Sequence, residues 1–320
     1  MKIVVAGGTG FIGRSLCTDL AAHGHEVVVL SRFSGGTYQG VRHVRAQAVR
    51  VAQDAEGRTN ATGPQEARYR FEDHAAREID GADAVINLAG AGIADSRWTP
   101  ARKAILRESR LSITRALVTA LREAATKPSV FVSGSAIGVY GSDLNRTFDE
   151  SSPAGSDFLA QLCIDWEQAA REAESPACRV VLLRTGLVLA RDGGLLAKLK
   201  PPFKFFAGGP TGSGKQWMSW IHRDDWIAMV RWALVTEAIR GPLNGVAPNP
   251  VINADFAHAL GRALHRPSIF PVPAFALRLM FGEMADGAVL TSQKVSPAKA
   301  AAGGFTFSYS DVNAALQSCV

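Results

Sequence analysis

One segment restricts the fold of this 320-residue chain more than any other, namely its first 32 residues, MKIVVAGGTGFIGRSLCTDLAAHGHEVVVLSR. Residues 3–6 form a short continuous apolar run, which is typical of a parallel strand buried on both faces. Gly7, Gly10 and Gly13 follow at a G-x-x-G-x-x-G spacing and lead into a helix, and residues 26–32 read as the next strand. The residues that this helix would turn inward are Leu16, Cys17 and Leu20. The order strand, glycine turn, helix and strand predicts a dinucleotide-binding fold.

The glycine turn has the properties that a pyrophosphate needs. Glycine lets the backbone turn tightly, approach the phosphates and pack the helix against the strand. The free N–H groups at a helix N-terminus and the positive end of its dipole favour a negative charge there. We therefore expect the cofactor to contact the turn and the start of the helix, at Gly7, Thr9, Gly10, Phe11, Ile12 and Gly13.

The end of the second strand indicates which dinucleotide is bound. An NAD site has an acidic residue there, which accepts hydrogen bonds from the ribose hydroxyls. This strand ends instead in Ser31 and Arg32, while Glu26 lies at its opposite end. A hydroxyl and a guanidinium suit the 2′-phosphate of NADP, so the pattern favours NADP(H) as cofactor. The alternative is that Arg32 is a solvated loop residue.

Strands and helices continue to alternate along the chain. Residues 83–90, 129–141 and 179–190 read as strands and residues 100–124 as a long helix. This predicts an α/β fold with a Rossmann-like, doubly wound parallel sheet, whose ligands lie outside the carboxyl ends of the strands. The cofactor-binding residues expected at one such end are Leu88, Ala89 and Gly90.

The same pattern suggests how the chain divides. We assign residues 1–190 to the NADP-binding Rossmann-like domain, with its sheet completed by about 220–247. Residues 191–219 and 248–320 are assigned to a smaller substrate-side lobe. Residues 45–78 are polar and punctuated by Gly and Pro, which predicts a mobile surface excursion.

Composition excludes several classes of function. With 47% hydrophobic and 20% charged residues the chain is typical globular material, and its net charge of +6 is scattered, which argues against nucleic-acid binding and suits a small-molecule substrate. The four cysteines show no metal-ligand spacing, which suits a reducing compartment. No apolar run approaches the ~20 residues of a membrane span, and a strand opens the chain in place of a signal peptide. A cytoplasmic protein without membrane partners is expected.

The motifs GGTGFIG, NLAG, SGSAIGVYG and SWIHRDDW resemble those of the extended short-chain dehydrogenase/reductases, which include sugar-nucleotide epimerases and dehydratases. NLAGAGIADSRWTPARK, GGPTGSGKQWMSWIHRDD, NGVAP and the tail LTSQKVSPAKAAAGGFTFSYSDVNAAL are similar to an atypical branch known as epimerase family proteins, which ends in a small domain of unassigned role. The likeness covers nearly the whole chain except about residues 45–75. It implies a possible homodimer formed through helices such as 100–124 and 156–174.

The resemblance also shows what this chain lacks. In the wider family a Tyr acts as acid/base for hydride transfer, a Lys four residues later lowers its pKa, a Ser or Thr holds the carbonyl and an Asn supports a water relay. Ser135 stands in the serine position and Arg110 in the asparagine position, whereas Leu159 and Cys163 stand where the tyrosine and lysine belong. No Tyr-x-x-x-Lys occurs anywhere in the sequence. Any catalysis must therefore use a different acid/base group.

Four residues are candidates for the chemistry, each with a structural alternative. Cys163 could serve as a thiol acid/base, but it lies on the apolar stripe of its helix and reads more readily as core. Arg110 cannot act as a base; it could clamp an anionic group or the cofactor ribose, or form a helix-surface ion pair with Glu108 or a neighbour. Ser135 could contact a carbonyl or cap backbone, and Tyr140 is the remaining phenol near the expected cleft.

Two segments in the second half of the chain resemble functional motifs, but each has a simpler structural interpretation. Asp224 or Asp225 is expected to cap the helix that follows WIHRDDW, beside His222 near the cleft. GPTGSGK matches a phosphate-loop pattern but lacks the following Ser or Thr, so a flexible flap whose Lys215 could meet an anion is favoured. The aromatic residues that could line a pocket or fill the core are Trp98, Phe203, Phe205, Phe206, Trp217 and Trp220.

Together these features predict an NADP(H)-dependent oxidoreductase that acts on a small carbonyl or hydroxyl substrate, with water, Cys163 or Tyr140 as the proton source. The alternatives are a non-catalytic NADP(H)-binding regulatory protein, which the missing Tyr/Lys pair favours, and a nucleotide-sugar epimerase or dehydratase.

Overall fold

The computed structural model describes residues 1–32, 36–38, 40–51 and 68–320. Residues 52–67, the middle of the predicted excursion at 45–78, lie outside the described residues. Its described flanks form β5 (Val49–Val51) and β6 (Arg68–Arg70), which pair antiparallel, followed by α2 (Asp73–Ala76).

The remaining elements alternate between strand and helix as the sequence predicts. The strands are β1 (Lys2–Ala6), β2 (Glu26–Ser31), β3 (Gly36–Tyr38), β4 (Val41–Arg45), β7 (Ala84–Asn87), β8 (Val130–Ala136), β9 (Thr147–Phe148), β10 (Arg179–Thr185), β11 (Leu187–Leu189), β12 (Trp217–Met218), β13 (Trp220–His222), β14 (Gly241–Gly245), β15 (Val251–Ile252) and β16 (Lys294–Val295). The helices are α1 (Phe11–Ala22), α3 (Pro100–Glu123), α4 (Phe158–Arg171), α5 (Gly194–Lys204), α6 (Arg223–Val235), α7 (Asn253–Leu264), α8 (Ala274–Phe281), α9 (Ala298–Ala302) and α10 (Val312–Ser318). A 3₁₀ helix spans Ile137–Tyr140 and a π-helical turn spans Ala285–Val289.

The main sheet has eight strands in the order β14-β10-β8-β7-β1-β2-β4-β3. β1 pairs in parallel with β2 and β7, β7 with β8, and β2 with β4, whereas the edge strand β3 is antiparallel. β1 and β7 are almost wholly buried, as strands covered on both faces must be. The predicted Rossmann-like α/β fold with a mostly parallel sheet is confirmed.

The chain forms two compact units. The first comprises residues 1–92, 104–134 and 165–182, and the second comprises 93–103, 135–164 and 183–320. Residues 93–103, 135–164, 183–190 and 220–247, which are assigned to the Rossmann-like domain from the sequence, are counted with the second unit. β10 runs through a boundary, which no linker composition marks.

Each unit has its own apolar core. In the first, apolar side chains from the parallel strands, α3 and the end of α4 form one cluster, while Leu16, Cys17 and Leu20 of α1 are buried as predicted. In the second, residues of α5, α7 and α10 pack with β11 and β13. No helix in the described part of the chain is long and apolar enough to span a membrane.

The single strand predicted at residues 179–190 is two strands in the structure. The run 179–190 breaks at Gly186, after which β11 pairs in parallel with β13 rather than continuing the main sheet. A Cβ on Gly186 would lie 2.6 Å from the carbonyl oxygen of Ser219, so only glycine allows the chain to pass so close at the break.

Candidate functional site

The glycine turn after β1 is closely packed. Gly7 has a φ of 84°, and a Cβ placed on it would lie 2.6 Å from the carbonyl carbon of Leu88. A Cβ on Gly13 would lie 2.3 Å from the carbonyl oxygen of Gly7, so α1 could not approach the turn with any larger residue there. The spacing of the two glycines in the sequence is therefore a requirement of backbone contact.

The start of α1 is open to an anion. Its N-cap is Gly10, no side chain caps the helix, and its first turn carries no acidic residue. The backbone N–H groups of the first turn then present their partial positive charge without a competing carboxylate. The turn and the helix together fit the pyrophosphate of a dinucleotide.

A cavity of about 440 Å³ lies at the carboxyl ends of the first unit's strands. Eight of the predicted cofactor-binding residues line it, namely Gly7, Thr9, Gly10, Ser31, Arg32, Leu88, Ala89 and Gly90. The predicted residues Phe11, Ile12, Gly13 and Arg110 are not among the described lining residues. No described lining residue is acidic, and Arg32 is exposed at the end of β2, so the cavity is suited to a negatively charged ligand.

The cavity has further walls that sequence reasoning missed. Residues 46–48 follow β4, whose end lies beside that of β2, since Ser31 and Arg45 are paired in register. Four residues of α3 also line it and share one face of the helix, namely Ile105, Ser109, Ser112 and Ile113. The other missed residues are Ala6, Leu30, Phe71 and Ala91. The sequence spacing places the four residues of α3 on one face of the helix. That this face borders the cavity depends on the order of the strands and is seen only in the structure.

The loop after β7, which forms one wall of the cavity, is held by two polar side chains. Asn87 accepts the backbone N–H of Ala89 through Oδ1 at 3.1 Å, and the hydroxyl of Ser109 accepts the N–H of Ala91 at 3.0 Å. Asn87 is fully buried. Its amide therefore fixes the position of the cavity wall relative to the sheet.

Asn87 belongs to a buried network centred on Thr114. The Thr114 hydroxyl accepts from Nδ2 of Asn87 at 2.8 Å and from Nε1 of Trp166 at 3.0 Å, and donates to the carbonyl of Arg110 at 2.7 Å. One donor and two acceptor positions are all a hydroxyl offers, so this group is fully used.

Arg110 lies behind the cavity wall. Its guanidinium donates to the carbonyl of Leu106 at 3.0 Å and stands 5.2 Å from the ring centre of Trp166. A Cβ on Gly90 would meet it at 3.1 Å. On the same helix, Glu108 accepts a hydrogen bond from the Tyr69 hydroxyl at 2.6 Å. Burial, reinforced by that carboxylate, raises the pKa of Tyr69 to about 12.

The other candidate catalytic residues belong to the second unit. Ser135 is buried at the end of β8, and Cys163 is buried in an apolar cluster that includes Val139, Phe148 and Val295. Leu159, in the place of the family's tyrosine, lies against Gly138, where a Cβ would be 3.3 Å from its own. The environment of Cys163 is that of a buried core residue.

The hydroxyl of Tyr140 forms two hydrogen bonds inside the protein. Its hydroxyl donates to Oδ1 of Asn244 at 2.7 Å and accepts from Arg184 at 2.9 Å. Burial raises the pKa of Tyr140, and the nearby Arg184 offsets part of the rise. A phenol with a raised pKa and two buried partners is a poor proton donor.

The cap of α6 differs from the prediction. His222, rather than Asp224 or Asp225, is the N-cap, and its Nδ1 accepts the N–H of Asp224 at 3.2 Å. Asp225 is buried and accepts the N–H groups of Ser308 and Tyr309 at 2.8 and 2.9 Å. The expected cap is wrong because α6 begins at Arg223, which places Asp224 and Asp225 in its first turn and His222 at the N-cap.

The GPTGSGK loop is tied to the start of α7. The N–H of Thr211 donates to Asn253 at 2.7 Å, and the buried amide of Gln216 donates back to the carbonyl of Thr211 at 3.0 Å. Lys215 is exposed. Of the aromatic set, Trp98, Phe203 and Trp220 are buried, Trp217 is partly buried, and Phe205 and Phe206 are exposed.

The sequence matches known families along most of its length. Residues 3–244 match the NAD dependent epimerase/dehydratase family, and residues 272–319 match a domain of unknown function, DUF1731. The chain is 41% identical to the chloroplastic epimerase family protein SDR39U1 homologue of Arabidopsis thaliana, over 99% of this chain and 86% of that one. It is 37% identical to the epimerase family protein MT2273 of Mycobacterium tuberculosis, over 98% of this chain and 96% of that one.

Solved structures give the same result. The human epimerase family protein SDR39U1, crystallised with NADPH, is 33% identical, with a TM-score of 0.86 over 100% of this chain and 99% of that one. A nucleoside-diphosphate sugar epimerase from Corynebacterium glutamicum is 31% identical, with a TM-score of 0.73 over 100% of this chain and 58% of that one. The fold and the cavity define a Rossmann-like dinucleotide-binding protein. The chain belongs to the NAD dependent epimerase/dehydratase family, as the sequence motifs predicted.

Proposed function

We propose that this protein binds NADP(H) in the cavity of its first unit and acts as an oxidoreductase on a small carbonyl or hydroxyl substrate. The observation that carries the proposal is the cavity, which joins an uncapped helix N-terminus, Ser31 with Arg32, and the loop after β7 without an acidic lining residue. The human relative crystallised with NADPH supports it.

The residues present fit each part of this cofactor. The turn at Gly7–Gly10 and the first turn of α1 would hold the pyrophosphate, and Ser31 with Arg32 would hold the 2′-phosphate. The loop from Leu88 to Gly90 would form a further wall. The nicotinamide would supply hydride transfer, so the chain itself must bind, orient and exclude water.

For the substrate, we assign Ser135 to orient the carbonyl oxygen and Arg110 to hold an anionic group. The burial of Cys163 and the hydrogen bonds of Tyr140 disfavour both as proton donors, which leaves water as the favoured proton source. Slow turnover would be consistent with the lack of a Tyr-x-x-x-Lys pair.

The second candidate function is a non-catalytic protein that binds NADP(H) as a redox-linked regulator. Its specific support is the apolar surroundings of Leu159 and Cys163, where a catalytic family member places its acid/base pair. The two candidates share the cofactor and differ in turnover.

The experiment is a fluorescence titration of the protein with NADPH and with NADH. Arg32→Ala is expected to weaken NADPH binding by about one to two orders of magnitude and to leave NADH binding unchanged. Arg77→Ala, which removes an exposed arginine that does not line the cavity, is the matched control. Equal affinity of the wild type for both cofactors would refute the assignment of the 2′-phosphate site.

A screen of small carbonyl compounds for oxidation of NADPH then separates the two candidates. Turnover that Ser135→Ala lowers, with NADPH affinity retained, supports the oxidoreductase. Tight NADPH binding with no turnover across the screen supports the regulator.

A further inference from the structure

Six large apolar side chains are exposed on adjoining segments of the second unit. This set, here named the apolar patch, has exposed fractions from 54% to 82% and comprises Phe205, Phe206, Ile269, Phe270, Phe275 and Leu279; a seventh exposed apolar side chain, Met280, follows Leu279. Single exposed apolar residues are common, but a group of this kind marks an interaction surface.

Backbone contacts hold two of these segments together. The N–H of Phe270 donates to the carbonyl of Gly208 at 3.2 Å, and that of Val272 donates to Pro210 at 2.8 Å. The guanidinium of Arg266 stands 4.9 Å from the ring centre of Phe206. Residues 205–210 and 266–272 therefore form one surface, and α8 begins directly after it.

α8 continues the patch with an outward apolar stripe. Phe275 and Leu279 lie one turn apart and are 72% and 76% exposed, while Leu277 on the other side is buried. The helix is anchored, because Arg97 donates to the carbonyls of Leu279 and Met280 at 2.6 and 2.8 Å. The exposed stripe thus belongs to a helix that is fixed in place.

The charged side chains in the two stretches of sequence that carry the patch are all basic. No acidic residue occurs in 193–223 or in 256–282, the two stretches that carry the patch. Lys204 directly precedes Phe205, and Arg266 covers Phe206. Basic side chains at the edge of an apolar surface attract anionic, amphipathic partners.

The acids that follow α8 do not cancel this charge. Glu283 is paired with Lys103 at 2.5 Å, and Asp286 with Arg278 at 2.9 Å. Beside the patch, an open concavity of about 570 Å³ is lined by basic and polar residues and reaches Ile269; those residues include Arg262, His265, Arg266 and Ser268. Its composition suits a negatively charged headgroup.

We propose that the apolar patch docks this protein on the surface of an anionic lipid bilayer. The patch enters the boundary between headgroups and acyl chains, and Lys204, Arg262 and Arg266 contact lipid phosphates. Exposed Phe and Leu side chains on a fixed helix, with basic residues around them, are the combination that interfacial binding uses. α8 lies in the segment that matches the domain of unknown function, which would gain a role in membrane attachment.

The test is co-sedimentation of the full chain with vesicles of phosphatidylcholine alone and of phosphatidylcholine mixed with phosphatidylglycerol. We expect binding to the mixed vesicles to be about tenfold stronger and to fall with salt. Phe275→Gln with Leu279→Gln should weaken it by about tenfold. The matched control, Leu144→Gln with Val235→Gln, removes two exposed apolar side chains of the same unit outside the patch and should bind as the wild type does.

A charge variant, Lys204→Gln with Arg266→Gln, should lose the preference for phosphatidylglycerol. NADPH affinity should be equal in all variants, which shows that they are folded and keeps this test separate from that of the cofactor site. Failure of the wild type to bind the mixed vesicles would overturn the proposal. A second outcome would also overturn it: the wild type is a dimer that binds no vesicles, and the Phe275/Leu279 variant is a monomer. The patch would then be covered by a second copy of this chain.

Discussion

Replacing Thr114 by valine should loosen the wall of the cofactor cavity. The Thr114 hydroxyl is fully buried and joins α3 to Asn87 at the end of β7 and to Trp166 of α4. Valine has nearly the same shape, so the loss is one of hydrogen bonding and leaves no hole.

The magnitude follows from the two donors left behind. Nδ2 of Asn87 and Nε1 of Trp166 would lose an acceptor inside the protein, and a buried unsatisfied donor costs about 1–3 kcal/mol. With partial relaxation we expect about 3 kcal/mol in all. At about 2.1 cal/mol/K per residue over 320 residues, this lowers Tm by about 4.5 °C.

The assay is thermal unfolding followed by circular dichroism, together with NADPH titration. Thr114→Ser is the matched control, because it keeps the hydroxyl and loses one methyl group, which should cost about 1 kcal/mol. NADPH binding should weaken in the valine variant only, since Asn87 also accepts the N–H of Ala89 in the cavity wall. Equal melting temperatures for the two variants would show that the hydrogen bonds of the Thr114 hydroxyl do not stabilise the fold by this amount.

Three further outcomes are expected. Gly13→Ala should weaken NADPH binding at least about tenfold, since its Cβ would lie 2.3 Å from the carbonyl oxygen of Gly7. Gly24→Ala, which has nothing within 4 Å but a φ of 78°, should cost some stability through backbone strain and leave NADPH binding intact. Tyr140→Phe should destabilise the protein by about 1–3 kcal/mol by removing a buried partner, with NADPH affinity unchanged in titration. Two hydrogen bonds from Arg42 lower the pKa of Glu78, so this pair stabilises the fold above the carboxyl's unfolded pKa and the contribution is lost as pH falls through the folded pKa. Glu78→Gln should flatten this acid dependence in urea unfolding, and an unchanged slope would contradict it.

The sequence alone determined the features that depend on local backbone. The positive φ of Gly7 and the contact between Gly13 and the carbonyl oxygen of Gly7 are local to the turn, so the glycine spacing predicts the strand, the turn and the helix together. The residues at the end of β2 indicate the cofactor because chain order places that end beside the turn. The motifs further along the chain sufficed to predict the family.

Tertiary structure decided everything that depends on which distant segments meet. Ser109, Ser112 and Ile113 face the cavity only because α3 lies against the ends of particular strands. Asp225, in the first turn of α6, accepts hydrogen bonds from backbone more than 80 residues away in the sequence. A helix face in the sequence shows that a surface exists, but its partner is set by strand order and by long-range hydrogen bonds.

The apolar stripe of α8 is another feature that the sequence leaves open and the tertiary structure decides. Its sequence, AFALRLMF, is apolar nearly all round and reads as a helix buried on every side. Whether Phe275 and Leu279 or Leu277 faces outward is not encoded in that run. The neighbouring Arg97, which binds the end of the helix, and the loops that precede it fix its rotation, and only the folded chain brings those groups together.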